Sequence, residues 1–84
     1  SNSYIENIKI LVTMYKKEKK QDYIDLLAFY TDYYLKSLRL KKIYKDDVIY
    51  KNRSYILKSI NDFYLYNLNQ ITLINNLKNN ILNE

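Results

Sequence analysis

The stretch YILKSINDFYLY-NLN-QITLINNLKNNI, residues 55–81, decides the fold of this chain. Two segments with helical spacing of apolar residues flank the short break Asn67-Leu68-Asn69. The chain contains no glycine and no proline, so the two strongest structure breakers are missing. Asparagine tolerates left-handed backbone geometry and caps helix starts, because its short amide bonds nearby backbone groups. We therefore predict a helix junction in which Asn67 ends one helix and Asn69 begins the next.

The length of 84 residues allows one small domain. We interpret Ser1-Asn2 as a remnant of recombinant expression. Residues 3–84 are interpreted as a single helical domain, the C-terminal fragment of a longer protein. A bundle of this size cannot hide every tyrosine and leucine, so part of its apolar surface is expected to need a partner.

The amino-acid composition excludes several kinds of binding site and catalytic mechanism. There is no cysteine and no histidine, which removes disulfides, thiolate zinc sites, cysteine nucleophiles and imidazole acid–base catalysis. Without glycine no glycine-rich loop can hold a phosphate. No apolar run approaches the about 18 residues of a membrane span, and the missing disulfides fit a reducing cytoplasm. We therefore expect no enzyme activity, no cofactor and no metal in this chain, and a cytoplasmic location.

The net charge of +5 permits contact with nucleic acid. The abundant Lys, Asn, Ile and Tyr all have AT-rich codons, however, so genome composition accounts for much of the lysine excess. We interpret the lysines in residues 16–20 as a solvated helix end, and the pairs Asp22/Asp25 and Asp46/Asp47 as capping and loop residues rather than metal ligands.

The first helix is predicted from Tyr4 to about Lys19. Its apolar side comprises Tyr4, Ile5, Ile8, Leu11, Val12 and Tyr15. The second helix is predicted from Asp22 to Lys41, with Asp22 as N-cap and Asp25 as its capping-box partner. Its main stripe comprises Tyr23, Leu27, Tyr30, Tyr34 and Leu38, and further apolar residues widen it almost all round. We expect this helix to be central and to touch more than one neighbour.

Residues 41–52 are predicted to form a loop with one short turn, because Asp46-Asp47 interrupts the helical pattern. The residues expected to tuck inward there are Ile43, Val48, Ile49 and Tyr50. A third helix is predicted to start near Asn52 or Ser54 and end at Asn67, burying Ile56, Leu57, Ile60, Phe63 and Tyr64. A fourth is predicted from Asn69 to about Leu82, burying Ile71, Ile74, Leu77 and Ile81. Four helices with short connections predict an all-α, compact antiparallel bundle.

From about Lys20 to Ile81 the chain resembles the C-terminal domain of the delta-prime subunit of the bacterial DNA polymerase III clamp loader. That family has a helix of the type "leucines, aromatic, Arg-Asp, leucines, Lys", and the matching run here is DYIDLLAFYTDYYLKSL. Asp32 occupies the Asp position, whereas Thr31 replaces the usual Arg. The parts KDDVIYKN, SYILKSINDFYLYNLN and QITLINNL then match a short acidic linker, a helix ending in "Leu-x-x-Asn-x-Asn" and a leucine-rich last helix. Only Gln70 separates Asn69 from Ile71, where the family has two residues.

The resemblance implies a collar domain that holds the loader pentamer together for loading the sliding clamp in DNA replication. It implies the delta and gamma/tau subunits as partners through their collar domains, with no membrane contact and no direct DNA contact. The ATP-binding fold and any zinc module belong to an N-terminal part of the family, so the parent would join the DNA polymerase III holoenzyme while this fragment would catalyse nothing. The implied subunit interface lies on the second helix and comprises Phe29, Tyr30, Asp32, Tyr33, Tyr34 and Leu38.

Other readings of the sequence stay open. The collar domains of the delta and gamma/tau subunits are close cousins of the delta-prime domain. An alternative from another class is a free-standing small helical binding protein, similar to a bacteriocin-immunity bundle. A basic module that binds single-stranded nucleic acid would use the clustered aromatics Phe29, Tyr30, Tyr33 and Tyr34 for base stacking, although packing between helices is the commoner use of such residues.

Overall fold

The computed structural model describes residues 2–41 and 45–81. Four helices follow one another in these ranges: α1 (Asn2–Glu18), α2 (Gln21–Leu40), α3 (Asp46–Tyr66) and α4 (Gln70–Ile81). Both α1 and α3 pack against α2 and α4, so the helices occupy the four corners of a bundle. The radius of gyration is 12.3 Å, close to the about 12 Å of a globular chain of this length. The predicted all-α bundle of four helices is confirmed.

The core is built from one stripe of each helix. α1 buries Tyr4, Ile5, Ile8, Val12 and Tyr15, all of them predicted. α2 buries Ile24, Leu27, Thr31, Leu35 and Leu38. α3 buries Ile49, Ile56, Ile60 and Phe63, and α4 buries Leu73, Ile74 and Leu77. No buried side-chain nitrogen or oxygen of the described residues lacks a hydrogen-bond partner, so the polar groups of this core are satisfied.

The start of α2 differs from the prediction. The N-cap is Lys20 in extended geometry, and its side chain makes no capping hydrogen bond. Asp22 lies one residue inside the helix, and Asp25 accepts a hydrogen bond from Gln21 Nε2 at 3.3 Å instead of closing a capping box with Asp22. Asp22 still suits this position, because a carboxylate in the first turn is stabilised by the positive end of the helix dipole.

The loop predicted over residues 41–52 is wrong from Asp46 onward, because α3 begins at that residue. The acidic pair Asp46-Asp47 therefore stands in the first turn of a helix, where acids are favoured, rather than in a loop. Ile49 is buried two turns before Ile56, so the buried stripe of α3 extends further back than predicted. Val48 and Tyr50 are exposed, contrary to prediction, and Ile43 lies outside the described residues.

The register of α4 also differs from the prediction. Ile71 is 66% exposed, whereas Leu73 is buried. Asn69 precedes the helix and its Oδ1 accepts a hydrogen bond from the Ile71 backbone N–H at 2.7 Å, which places Ile71 in the unpacked first turn. Ile74 and Leu77 are buried as predicted, and the side chain of Ile81 lies outside the described part of the chain.

The junction between α3 and α4 occupies Asn67, Leu68 and Asn69. Asn67 adopts left-handed geometry, with φ 52° and ψ 46°, directly after α3 ends at Tyr66. The Leu68 N–H donates to the Phe63 carbonyl at 3.2 Å, the six-residue closure of a Schellman-type helix end. Leu68 also packs on the core, so the chain turns back onto the bundle without glycine.

A second left-handed residue ends α1. Lys19 has φ 58°, and its N–H donates to the Tyr15 carbonyl at 2.7 Å. A lysine has a Cβ that clashes in this geometry, at a cost of about 1 kcal/mol that glycine avoids. Lysine thus occupies a position that favours glycine or asparagine.

Candidate functional site

The outward face of α2 carries a regular row of exposed side chains. We call Asp22, Leu26, Phe29, Tyr33, Lys36 and Leu40 the α2 outer stripe. Its spacing alternates four and three residues, so it follows one side of the helix. Phe29, Tyr33 and Leu40 are 71%, 65% and 70% exposed, on the side of α2 opposite to its buried line through Thr31. Large apolar side chains so placed contribute little to the core.

The six residues implied as a subunit interface do not share one face. Phe29 and Tyr33 belong to the α2 outer stripe and are open to contact. Leu38 is buried within the bundle. Tyr30 and Tyr34 turn towards α1, where both stack on Tyr4. Asp32 turns towards α3 and is held there by an ion pair. Of the six, Phe29 and Tyr33 are therefore the two that are largely exposed.

Three tyrosine rings fix α1 on α2. Tyr4 stacks on Tyr34 with 4.3 Å between ring centroids and on Tyr30 with 5.5 Å. The fully buried Tyr4 hydroxyl lies 2.7 Å from the Thr31 hydroxyl, and Asn7 Nδ2 donates to the Tyr30 hydroxyl at 2.8 Å. Burial raises the pKa of Tyr4 far above its ordinary value, so the hydroxyl stays neutral. These aromatics act inside the chain and are not available as a stacking platform for bases.

An ion pair joins α2 to α3 beside the outer stripe. Arg53 Nε and Nη2 donate to the two carboxylate oxygens of Asp32 at 2.5 and 3.0 Å, the bidentate geometry typical of a guanidinium on a carboxylate. The hydrogen bond to Asp32 raises the pKa of Arg53. Both side chains are more than one third exposed, so the pair adds at most about 1 kcal/mol to stability. Its clearer effect is to neutralise Asp32.

A groove of about 390 Å³ runs between α2 and α3. Leu35 and Ile49 form its buried floor, and the aromatic rings of Phe29, Tyr33 and Tyr50 stand at its sides. Lys36 and Arg39 lie towards the C-terminal end of α2, and in the described ranges neither forms an ion pair. The groove therefore continues the outer stripe as an apolar surface with positive charge at one end.

The charges of α2 are separated along the helix. The charged residues of its first twelve positions are the acids Asp22, Asp25 and Asp32, and those of its last turns are the bases Lys36 and Arg39. The helix dipole favours this order, since it stabilises acids near the N-terminus and bases near the C-terminus. A partner lying along α2 thus meets negative charge at one end and, once Asp32 is neutralised by Arg53, positive charge at the other.

The sequence pattern predicts that the lysines at the end of α1 are solvated, but Lys16 and Lys19 contact the α3–α4 junction. Lys16 Nζ donates to Asn67 Oδ1 at 2.9 Å and lies 4.9 Å from the centroid of the Phe63 ring. Lys19 Nζ reaches the same Asn67 oxygen at 3.5 Å. Desolvation against the bundle lowers the pKa of Lys16, and the charge of Lys19 adds to this shift. These two lysines hold the α3–α4 junction onto α1, a contact across 51 residues that no local pattern signals.

Within the described residues, no three acidic, histidine or cysteine side chains come together as a possible metal site. None of the helices in the described ranges is both long enough and apolar enough to cross a membrane. No protein-family model, no curated protein and no solved structure matches this chain.

Proposed function

We propose that this chain is a protein-association domain, and that it serves the collar of a bacterial DNA polymerase III clamp loader. The association role is supported by the α2 outer stripe, where Phe29, Tyr33 and Leu40 face solvent opposite a core that is already filled. Aromatic residues are enriched at protein interfaces because they bury much apolar area with few rotatable bonds. The choice of a clamp loader rests on the resemblance of residues 20–81 to the delta-prime collar domain.

In this proposal the domain acts by association alone, with no catalysis and no cofactor. The α2 outer stripe and the adjoining groove bury against the collar domain of a delta or gamma/tau subunit. The rigid contact of α1 with α2, through Tyr4, fixes the direction of that stripe relative to the rest of the bundle. An attached ATPase module would thereby keep its place in the loader ring, in the bacterial cytoplasm, during DNA replication.

The test mixes the chain with separately purified collar domains of the delta and gamma/tau subunits and measures mass by light scattering. Heteromers are expected at micromolar concentration. Phe29→Ala/Tyr33→Ala should abolish them, because removing two central aromatic contacts costs several kcal/mol of binding in typical interfaces. The matched control is Tyr55→Ala, since Tyr55 is an exposed aromatic on α3 outside the stripe. Absence of heteromers, or equal assembly by both variants, contradicts the proposal.

A titration with a single-stranded oligonucleotide tests the alternative that the chain is a basic module that binds single-stranded nucleic acid. Binding whose affinity falls steeply with salt would assign the chain to nucleic acid instead, because phosphate contacts release counterions. We expect no such binding. Two of the four clustered aromatic rings, Tyr30 and Tyr34, already stack on Tyr4, which leaves only part of the cluster for bases.

A further inference from the structure

The α2 outer stripe has the spacing of a coiled-coil seam. Its positions alternate steps of four and three from Asp22 to Leu40, which is the a/d pattern of a heptad repeat. In this bundle that row faces outward, whereas the buried line of the same helix, through Leu27 and Thr31, faces the core. Among the described helices α2 contacts α1 and α3 and stands at a corner, so a further helix can approach the stripe from outside.

The charges beside the stripe indicate which helix fits. Asp22 on the stripe and Asp25 beside it lie along its first turns. Lys36 on the stripe and Arg39 beside it lie along its last turns. A complementary helix must carry bases where α2 has acids and acids where α2 has bases. A second copy of α2 running antiparallel meets this requirement, because a two-fold axis reverses the order of charges. A parallel copy would place like charges together.

We propose that two copies of this chain pair through antiparallel α2 helices, about a two-fold axis level with residue 31. Phe29 and Tyr33 stand two residues to either side of that level, so each ring meets the other ring of the partner copy. Asp25 stands six residues before it and Lys36 five residues after it, which brings them together across the axis.

Asp22 and Arg39, nine residues before and eight after residue 31, meet across the axis in the same way. The two copies of Asp32 would approach one another near the axis, and each is neutralised by its own Arg53. The inference rests on the proposed association function, since it uses the same stripe, and it names the partner as the chain itself.

Sedimentation equilibrium of the full chain tests the pairing. The weight-average mass should rise from 10.3 kDa towards twice that value as the concentration increases from roughly 10 µM to 1 mM, the range of a small transient interface. Phe29→Ala/Tyr33→Ala should keep the mass at that of the monomer. A wild-type chain that stays monomeric throughout overturns the inference.

Charge exchange supplies the sharper test. Asp22→Lys/Asp25→Lys and Lys36→Glu/Arg39→Glu should each weaken self-association at least about tenfold, because like charges then meet at both ends. Mixed in equal amounts, the two variants should form a heterodimer of near wild-type affinity, since each end again joins opposite signs. Circular dichroism verifies that both variants are folded. Failure of the mixture to associate overturns the pairing.

A spin label on Lys41→Cys reports the direction of the helices. Lys41 lies ten residues beyond the proposed axis, so antiparallel copies separate the two labels by roughly 30 Å, whereas parallel copies bring them to about 10 Å. The shorter distance contradicts the inference. A chain that is monomeric alone but joins delta or gamma/tau collar domains through the stripe overturns self-pairing and leaves the proposed function standing. Self-pairing without any such heteromer overturns the proposed clamp-loader role and leaves the self-pairing standing.

Discussion

Replacing Thr31 with valine removes one hydroxyl from the centre of the α1–α2 contact. Thr31 and Tyr4 are both fully buried, and their hydroxyl oxygens lie 2.7 Å apart. Valine has almost the shape of threonine, so the packing of the surrounding apolar side chains is retained. What changes is that the Tyr4 hydroxyl loses its hydrogen-bond partner and remains shut away from water.

The cost follows from that burial. A buried polar group left without a partner loses about 1–3 kcal/mol, the desolvation that its hydrogen bond had offset. Tyr4→Phe should cost less, about 1 kcal/mol, because the remaining Thr31 hydroxyl is free to bond the carbonyl one turn earlier in its own helix. The double variant replaces both partners by apolar groups and should be little worse than Thr31→Val alone. We therefore expect a coupling energy of about 1 kcal/mol between the two positions, nearly the whole cost of Tyr4→Phe.

Urea unfolding followed by circular dichroism measures all four members of this cycle. A loss of 2 kcal/mol corresponds to roughly 8–16 °C in Tm for a domain of this size, so a thermal scan gives a second readout. Thr13→Val is the matched control, since Thr13 is exposed on α1, and it should change stability by less than about 0.5 kcal/mol. Additive effects in the cycle, or equal losses at Thr13 and Thr31, would refute the argument from burial.

Three further predictions use the same unfolding assay. Lys19→Gly should raise the free energy of unfolding by less than about 1 kcal/mol, because glycine adopts a φ of 58° without a Cβ clash but loses the 3.5 Å contact of Lys19 Nζ with Asn67; a destabilised variant would contradict this. Leu73→Ala should cost about 2–5 kcal/mol and Ile71→Ala less than about 0.5 kcal/mol, and the reverse order would show that the register of α4 is wrong. Burial raises the pKa of Tyr4, so its contribution to stability is complete below about pH 10 and is lost as the pH rises further, since the unfolded chain releases the proton first. Tyr4→Phe should reduce the alkaline slope of stability by up to about 1.4 kcal/mol per pH unit, and an unchanged slope would argue against this ionisation.

The sequence predicts the helices well where a long apolar repeat continues without ambiguity. The stripe of α1 from Tyr4 to Tyr15 and the centre of α3 from Ile56 to Phe63 are buried as expected. The place of the last junction follows from Asn67 and Asn69, because asparagine is the residue of this chain most suited to left-handed and capping geometry.

The incorrect predictions concern helix ends, where the same residue type is compatible with two different local structures. Asp46 and Asp47 suit a loop and also suit the first turn of a helix, and only the burial of Ile49 decides for the helix. Ile71 and Leu73 both fit an apolar spacing in α4. The choice between them depends on Asn69 being the cap, because a shift of two residues turns a helix by about 200°.

The candidate site was less accessible to sequence reasoning than the fold. Helix α2 is apolar almost all round, so periodicity cannot separate a core stripe from an outer stripe. Thr31 lies on the core side of α2 because its hydroxyl forms a hydrogen bond with the Tyr4 hydroxyl. These two residues are 27 positions apart in the sequence, so the sequence alone does not indicate this contact. The ion pair of Asp32 with Arg53 and the reach of Lys16 to Asn67 are likewise tertiary contacts, and no local pattern predicts them.

Phe29 and Tyr33 offer a way to separate folding from association. Both are largely exposed on the corner of the bundle away from the core, so the folded monomer gains little from them. Replacing both with alanine should change the free energy of unfolding by less than about 1 kcal/mol while removing association. Urea unfolding at low concentration, where the chain is monomeric, gives the first quantity, and sedimentation gives the second. A loss of several kcal/mol in the monomer would mean that the rings belong to the fold, and the outer stripe would then no longer be surplus apolar surface in need of a partner.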